Sequence, residues 1–203
     1  MEAHGLLVGA ILLLCLTHTC YGVLFSTLPH TLVVNASPQQ GQVLKAGEDK
    51  IEVTWQLNET FPAGTDSAYK SVKVKLCYAP ISQKDRAWRK TDDNLSKDKT
   101  CQFTMVAEEY NDAVQTFQWT IQRDIPTASY FVRAYALDSQ GTQLAYGQTT
   151  DGHKTINLFD IQGISGRHVS LDIASACFSA FSLLALLGFF FAERRKAKLS
   201  QNK

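Results

Sequence analysis

IEVTWQL, residues 51 to 57, alternates apolar and polar side chains without a break. Ile51, Val53, Trp55 and Leu57 fall on one side, and Glu52, Thr54 and Gln56 on the other. Successive side chains of an extended chain point to opposite faces, so this period of two predicts a half-buried strand. The pattern recurs at Val72, Val74, Leu76 and Tyr78, with Lys73 and Lys75 opposite, and at Phe117, Trp119 and Ile121. From Tyr130 to Leu137 both faces are apolar apart from Arg133, as in a central strand. Shorter candidates lie at 32–35, 101–107, 144–147 and 156–161, and the runs AGED (46–49), PAG (62–64), IPT (125–127) and SQG (139–141) supply turns between strands. Seven or eight short strands, with no long amphipathic helix among them, predict a mainly β fold: an immunoglobulin-like or fibronectin-like sandwich.

The two ends set the topology. Ile173 to Ala192 is a run of twenty residues without a charge. At about 1.5 Å per residue it spans about 30 Å, the thickness of a bilayer's hydrocarbon core. One helix cannot line a pathway for a solute, so the chain acts through its polar domain or through a partner in the membrane. Leu6 to Leu16 is too short to span and precedes Cys20-Tyr21-Gly22, which predicts a signal peptide cleaved after Gly22. The alternative is an uncleaved anchor and a two-span hairpin. Arg194, Arg195, Lys196, Lys198 and Lys203 stand against Glu193 on one flank of the span, and Arg167, His168 and Asp172 on the other. The positive-inside rule places the basic tail in the cytosol. The expected layout is a signal peptide at 1–22, an extracellular domain at 23–168, a transmembrane helix at 169–192 and a cytosolic tail at 193–203. The last residues carry no dilysine retrieval signal, which favours the plasma membrane over the endoplasmic reticulum.

Between residues 23 and 168 there are 15 basic and 16 acidic side chains, a balance of −1. That leaves no basic field for nucleic acid. Cys15 and Cys20 leave with the signal peptide and Cys177 sits in the span. Cys77 and Cys101 remain, a pair that forms one disulfide in an oxidising compartment. Cys77 is in phase with Lys73 and Lys75, so the bridge reads as an outer staple and not as a link between the sheets. Sequons at Asn35, Asn58 and Asn94 fit the same compartment, with Pro38 closely following the first.

The segment inside the staple is densely charged. Lys84, Arg86, Arg89, Lys90, Lys97 and Lys99 stand against Asp85, Asp92, Asp93 and Asp98, around Trp88 and Leu95. A tryptophan flanked by arginines in a pinned loop suits an interface hot spot. The alternative is a solvated loop whose charges pair locally and contribute little. A glycan on Asn94 would obstruct a flat contact, so Asn94 faces away from a partner or is unmodified. In the span, Ser175, Ser179 and Ser182 share a helical face beside Ala176 and Ala180, a place where a second helix could pack closely. Ordinary tolerance of small residues is the alternative. The histidines His30, His153 and His168 are scattered, and no nucleophile motif, metal motif or phosphate loop is present. Neither an enzyme, a cofactor, a metal nor a small-molecule substrate is expected.

Several longer motifs resemble the accessory subunit of plant high-affinity nitrate transport. They are KVKLCYAP (73–80), DRAWRK (85–90), KDKTC (97–101), RDIPTASYFVRAYALD (123–138), AYGQ (145–148) and ISGRHVSLDIASACFS (164–179). The resemblance implies a heteromer at the plasma membrane with a multi-span nitrate transporter of the major facilitator superfamily, which needs the subunit for surface stability and uptake. It also implies that Arg89 and Asp98 are the favoured contacts, supported by Asp85, Arg86 and Trp88. Removing one member of a desolvated charge pair can cost about 2–5 kcal/mol. Asp98→Asn is therefore expected to reduce the transporter recovered with this chain while the domain still folds; retention of the variant as misfolded protein would remove that role. The competing class is a cell-surface adhesion or receptor module, which predicts an extracellular ligand and no dependence on a transporter. A direct nitrate site would need convergent donors, and the loop arginines are the sequence's candidates.

Overall fold

The computed structural model describes residues 22–166 and 168–201, the side chains of 197–201 excepted. The signal peptide expected at 1–22 falls almost wholly outside the described residues, as does Arg167. The chain divides between Ile164 and Ser165 into a β unit and a helical unit.

Among the described residues the β unit has nine strands: β1 (Leu32–Ala36), β2 (Val43–Lys45), β3 (Lys50–Leu57), β4 (Ser71–Tyr78), β5 (Phe103–Glu109), β6 (Gln115–Thr120), β7 (Ala128–Leu137), β8 (Gln143–Gln148) and β9 (Phe159–Gln162). A three-stranded sheet has the order β1-β3-β6. The six-stranded sheet runs β2-β9-β7-β4-β5, with β8 also paired to β7. β9 takes the start of β7 (Ala128 to Tyr130) and β8 the remainder (Arg133 to Leu137), both antiparallel. The short β2 pairs with β9 in parallel. The two sheets face each other across one core, an immunoglobulin-like sandwich.

Alternation decides which side chains fill that core. Ile51, Val53 and Trp55 of β3 and Val72, Val74, Leu76 and Tyr78 of β4 are all buried there, and Leu57 packs against them half-buried. Each fully buried aliphatic side chain contributes about 1.5–3 kcal/mol. All of Tyr130 to Leu137 is buried, as a central strand requires. The Tyr130 hydroxyl donates to the Pro126 carbonyl at 2.6 Å and ties the corner before β7 to the sheet.

Three features differ from the sequence reading. β2 was not foreseen, because three residues give no periodic signal. The strand expected at 156–161 begins only at Phe159. Before it, residues 151–157 form a turn in which Lys154 and Asn157 take positive φ (58° and 53°). The helix of the second unit, α1 (Val169–Gln201), continues past Ala192 into the tail expected at 193–203. Among the described residues it is the one helix long and apolar enough to cross a membrane.

Asp151 organises the 151–157 turn. Its carboxylate accepts from the Thr155 amide at 2.6 Å and the Thr155 hydroxyl at 2.9 Å. These bonds, led by the one from the Thr155 backbone, hold its pKa down to about 2 from an ordinary 3.8. A depressed acid stabilises the fold above its unfolded pKa and loses that contribution as pH falls through the folded one. The difference in melting temperature between the native chain and Asp151→Asn is therefore expected to be constant above about pH 5 and to shrink between pH 4 and 2. A difference independent of pH would show that the carboxylate is not held this way.

Candidate functional site

The loop between β4 and β5 is closed at its base by the Cys77–Cys101 disulfide, across a separation of 24 residues. Closing a loop of this size stabilises by about 3 kcal/mol in the chain-entropy picture. The two cysteines cluster with Phe131 and Leu158, apart from the inter-sheet core. The staple thus lies where the phase of Cys77 predicts, although both cysteines are buried.

Inside the staple the backbone makes two 3-10 turns, Pro80–Ser82 and Ala87–Arg89. Asp98 is a hub for the rest. Its Oδ1 accepts from the amides of Asp92 (3.2 Å) and Thr100 (3.1 Å) and from the Thr100 hydroxyl (2.6 Å). Arg89 is turned inward and buried, its guanidinium 4.2 Å from the centroid of the Tyr78 ring. Nη1 donates to the Ser82 carbonyl at 3.2 Å, and Nε is buried without a partner. Tyr78 in turn stacks on Tyr130 at 5.1 Å, so Arg89 clamps the loop onto the edge of the core. Among the described residues of this loop no ion pair within 4 Å is found, so the alternative reading, in which its charges pair locally, has no support there.

Asp85, Arg86 and Trp88 point outward. Asp85 takes positive φ, 58°. Trp88 is 60% exposed, while its carbonyl accepts from Gln102 Nε2 at 2.6 Å. A large indole thus stands in solvent on a fixed backbone. Arg86 and Ile81 line an open groove of about 420 Å³ with Val43, Ala128, Asp160 and Ile161. Ile81 is 72% exposed.

A second segment completes this region. Leu24 bridges to Asn94, Phe25 N donates to the Asp93 carbonyl at 2.7 Å, and Leu95 N donates to the Val23 carbonyl at 2.9 Å. The Ser26 amide and hydroxyl both bond the Asp93 carboxylate at 2.8 Å. Residues 23–26 are zipped to residues 93–95. The sequence reading missed this contact, since neither partner carries a periodic pattern.

Asn94 sits in that zipper, half-buried, with Oδ1 accepting from the Ser96 amide and hydroxyl at 3.0 and 2.7 Å. Asn58 makes the same turn onto Thr60. Asn35 lies exposed on β1 opposite Thr54. In the helical unit, Ser175, Ser179 and Ser182 are exposed, and the Ser175 hydroxyl donates back to the Asp172 carbonyl at 2.9 Å. No three His, Cys, Asp or Glu side chains gather as a metal centre among the described residues.

The family model described as "High-affinity nitrate transporter accessory, Ig-like domain" matches residues 25–166. The chain is 48% identical to "High-affinity nitrate transporter 3.1" of Arabidopsis thaliana, over 100% of both chains. It is 53% identical to "High-affinity nitrate transporter-activating protein 2.1" of Oryza sativa subsp. japonica, over 86% of this chain and 82% of that one. Among solved structures, a Niemann-Pick type C2 protein from the Japanese carpenter ant is similar at 9% identity and a TM-score of 0.29, over 70% of this chain and 96% of that one. So distant a likeness is silent on function.

Proposed function

Because this chain belongs to the family of high-affinity nitrate transporter accessory proteins, we propose that it is a non-catalytic subunit of a multi-span nitrate transporter. It holds that transporter at the plasma membrane and is needed for uptake. The names of its relatives support an activating role, and the exposed Trp88 on a stapled loop is the observation that carries the contact. In this reading the sandwich faces outward and α1 crosses the membrane once, with its basic end in the cytosol.

Assembly uses two surfaces. Trp88, Arg86 and Asp85 meet outward-facing loops of the transporter, with the neighbouring groove taking an apolar side chain over Ile81. Arg89 and Asp98 act from behind: one clamps the loop to Tyr78 and the other fixes its turns. The Ser175, Ser179 and Ser182 face packs beside a transporter helix, where small residues permit close approach. A partner that binds only the folded transporter stabilises it by mass action, which lengthens its life at the surface.

The test is co-expression with a plant high-affinity nitrate transporter in cells that lack nitrate transport. Surface transporter and labelled nitrate uptake are expected only when both proteins are present. A transporter that reaches the surface and works equally well alone would overturn the reading and direct attention to extracellular ligands of the sandwich.

A further inference from the structure

The outer face of the six-stranded sheet carries more cations than the nearby carboxylate, Asp98, can neutralise. The β4–β7 register sets Lys75 directly opposite Arg133, and Lys73 opposite Tyr135. Like charges in directly opposed positions destabilise a sheet. Arg133 is only 2% exposed, and its partners are neutral. Nε and Nη2 donate to Gln148 Oε1 at 3.1 and 2.9 Å, Nη1 donates to the Tyr135 hydroxyl at 3.1 Å, and the Phe25 ring lies 4.1 Å from the guanidinium. The 151–157 turn adds Lys154. Burial pushes the pKa values of Lys75 and Lys154 down, and the charges of Lys73 and Arg133, respectively, push them further. Asp98 is the carboxylate that opposes both shifts, and its Oδ1 is already committed to three donors. Lys73, Lys75, Arg133 and Lys154 against Asp98 is four positive charges to one negative, a local balance of +3.

A cavity of about 80 Å³ opens at the Lys73 and Lys75 side of this cluster, lined also by Asp98, Tyr135, Gln143 and Leu95, with Arg133 reaching it through Tyr135. We propose that it binds a small inorganic anion between the ammonium groups of Lys73 and Lys75. Tyr135 accepts from Arg133 and keeps its own O–H free to donate; burial raises its pKa and keeps that proton in place. The Gln143 side chain brings a further amide to the lining. The volume suits a few waters or one small anion and is too small for a peptide segment, which argues against an acidic loop of a partner as the occupant. Asp98 is the built-in competitor: it lines the same cavity and repels the ligand. The sequence reading looked to the loop arginines for such a site. Arg89 instead stacks on Tyr78, and the converging donors lie on the sheet.

The site follows from the charges of this chain alone; only the choice of nitrate as first probe rests on the accessory role. The purified full chain in detergent is titrated with sodium nitrate, sodium chloride or sodium sulfate, gluconate holding ionic strength constant, and thermal unfolding is followed. A saturable rise in melting temperature is expected with nitrate. Lys75→Gln should weaken the response about tenfold, the scale of one partly screened charge contact. Asp98→Asn should tighten it about fivefold by removing the competitor. Lys75→Gln also relieves the opposition to Arg133, so its melting temperature without anion should equal or exceed that of the native chain. Its lost response then cannot be misfolding. An equal response to chloride supports the site as one for small anions in general. No saturable response to any of the three salts, or an unchanged response in Lys75→Gln, overturns the proposal. Because no transporter is present in this assay, such a failure leaves the accessory role standing.

Discussion

Trp88→Ala is expected to leave the sandwich folded and to weaken assembly with the transporter by about 2–4 kcal/mol, roughly 30- to 1000-fold in affinity. The indole is 60% exposed, and exposed substitutions of this kind change stability by about 0.5 kcal/mol or less. The backbone beneath it is held independently, by the Gln102 bond to its carbonyl and by the neighbouring Arg89 clamp. The cost of ordering the backbone of the contact is therefore largely met before binding. The measurement is transporter co-purified with the variant, beside the melting temperature of the variant alone. Normal recovery of transporter would move the contact off this loop. Arg89→Ala supplies the contrast: it should also lose transporter, but through a loosened loop, seen as a lower melting temperature.

Gly147→Ala is expected to destabilise the sandwich by about 3 kcal/mol, at the upper end of typical overpacking costs. Gly147 lies on β8, and a Cβ there would sit 2.2 Å from the Leu32 carbonyl oxygen of β1 and 2.7 Å from its carbonyl carbon. No rotamer change relieves a clash with backbone. The glycine is required by this close approach, since its φ is not among the positive ones. Against a total stability of about 5–15 kcal/mol, the loss is large enough to lower expression as well as melting temperature. An unchanged melting temperature would mean that β1 and β8 separate without cost.

The strands that form the core were legible because burial on one face leaves a period of two. Trp55, Val74 and Leu76 are core residues for that reason. The apolar helix α1 was legible from length alone. What escaped was set by tertiary contact. β2 has three residues and exists because β9 offers it an edge. The break between β8 and β9 follows from the turn that Asp151 organises. Arg89 and Arg86 look alike in sequence, and only the ring of Tyr78 decides that one is inside and the other out. The zipper between residues 23–26 and 93–95 joins segments 67 positions apart at Ser26 and Asp93, and no local pattern announces it. The accessory role came from long shared motifs; no spacing of charges would have named it.

The zipper also orders events during synthesis. Residues 23–26 follow the expected leader directly, while their partners lie just before Cys101. Residues 23–26 must therefore wait, as the chain is made, for about seventy further residues before they have anything to pair with. At Gly22 a Cβ would sit 2.1 Å from the Asn94 side-chain oxygen, so the entry to the zipper admits a glycine without displacing Asn94. Closure of the disulfide and completion of the zippered loop then belong to one folding step. A chain that fails in either presents an incomplete loop, and so a defect in folding would look like a defect in binding.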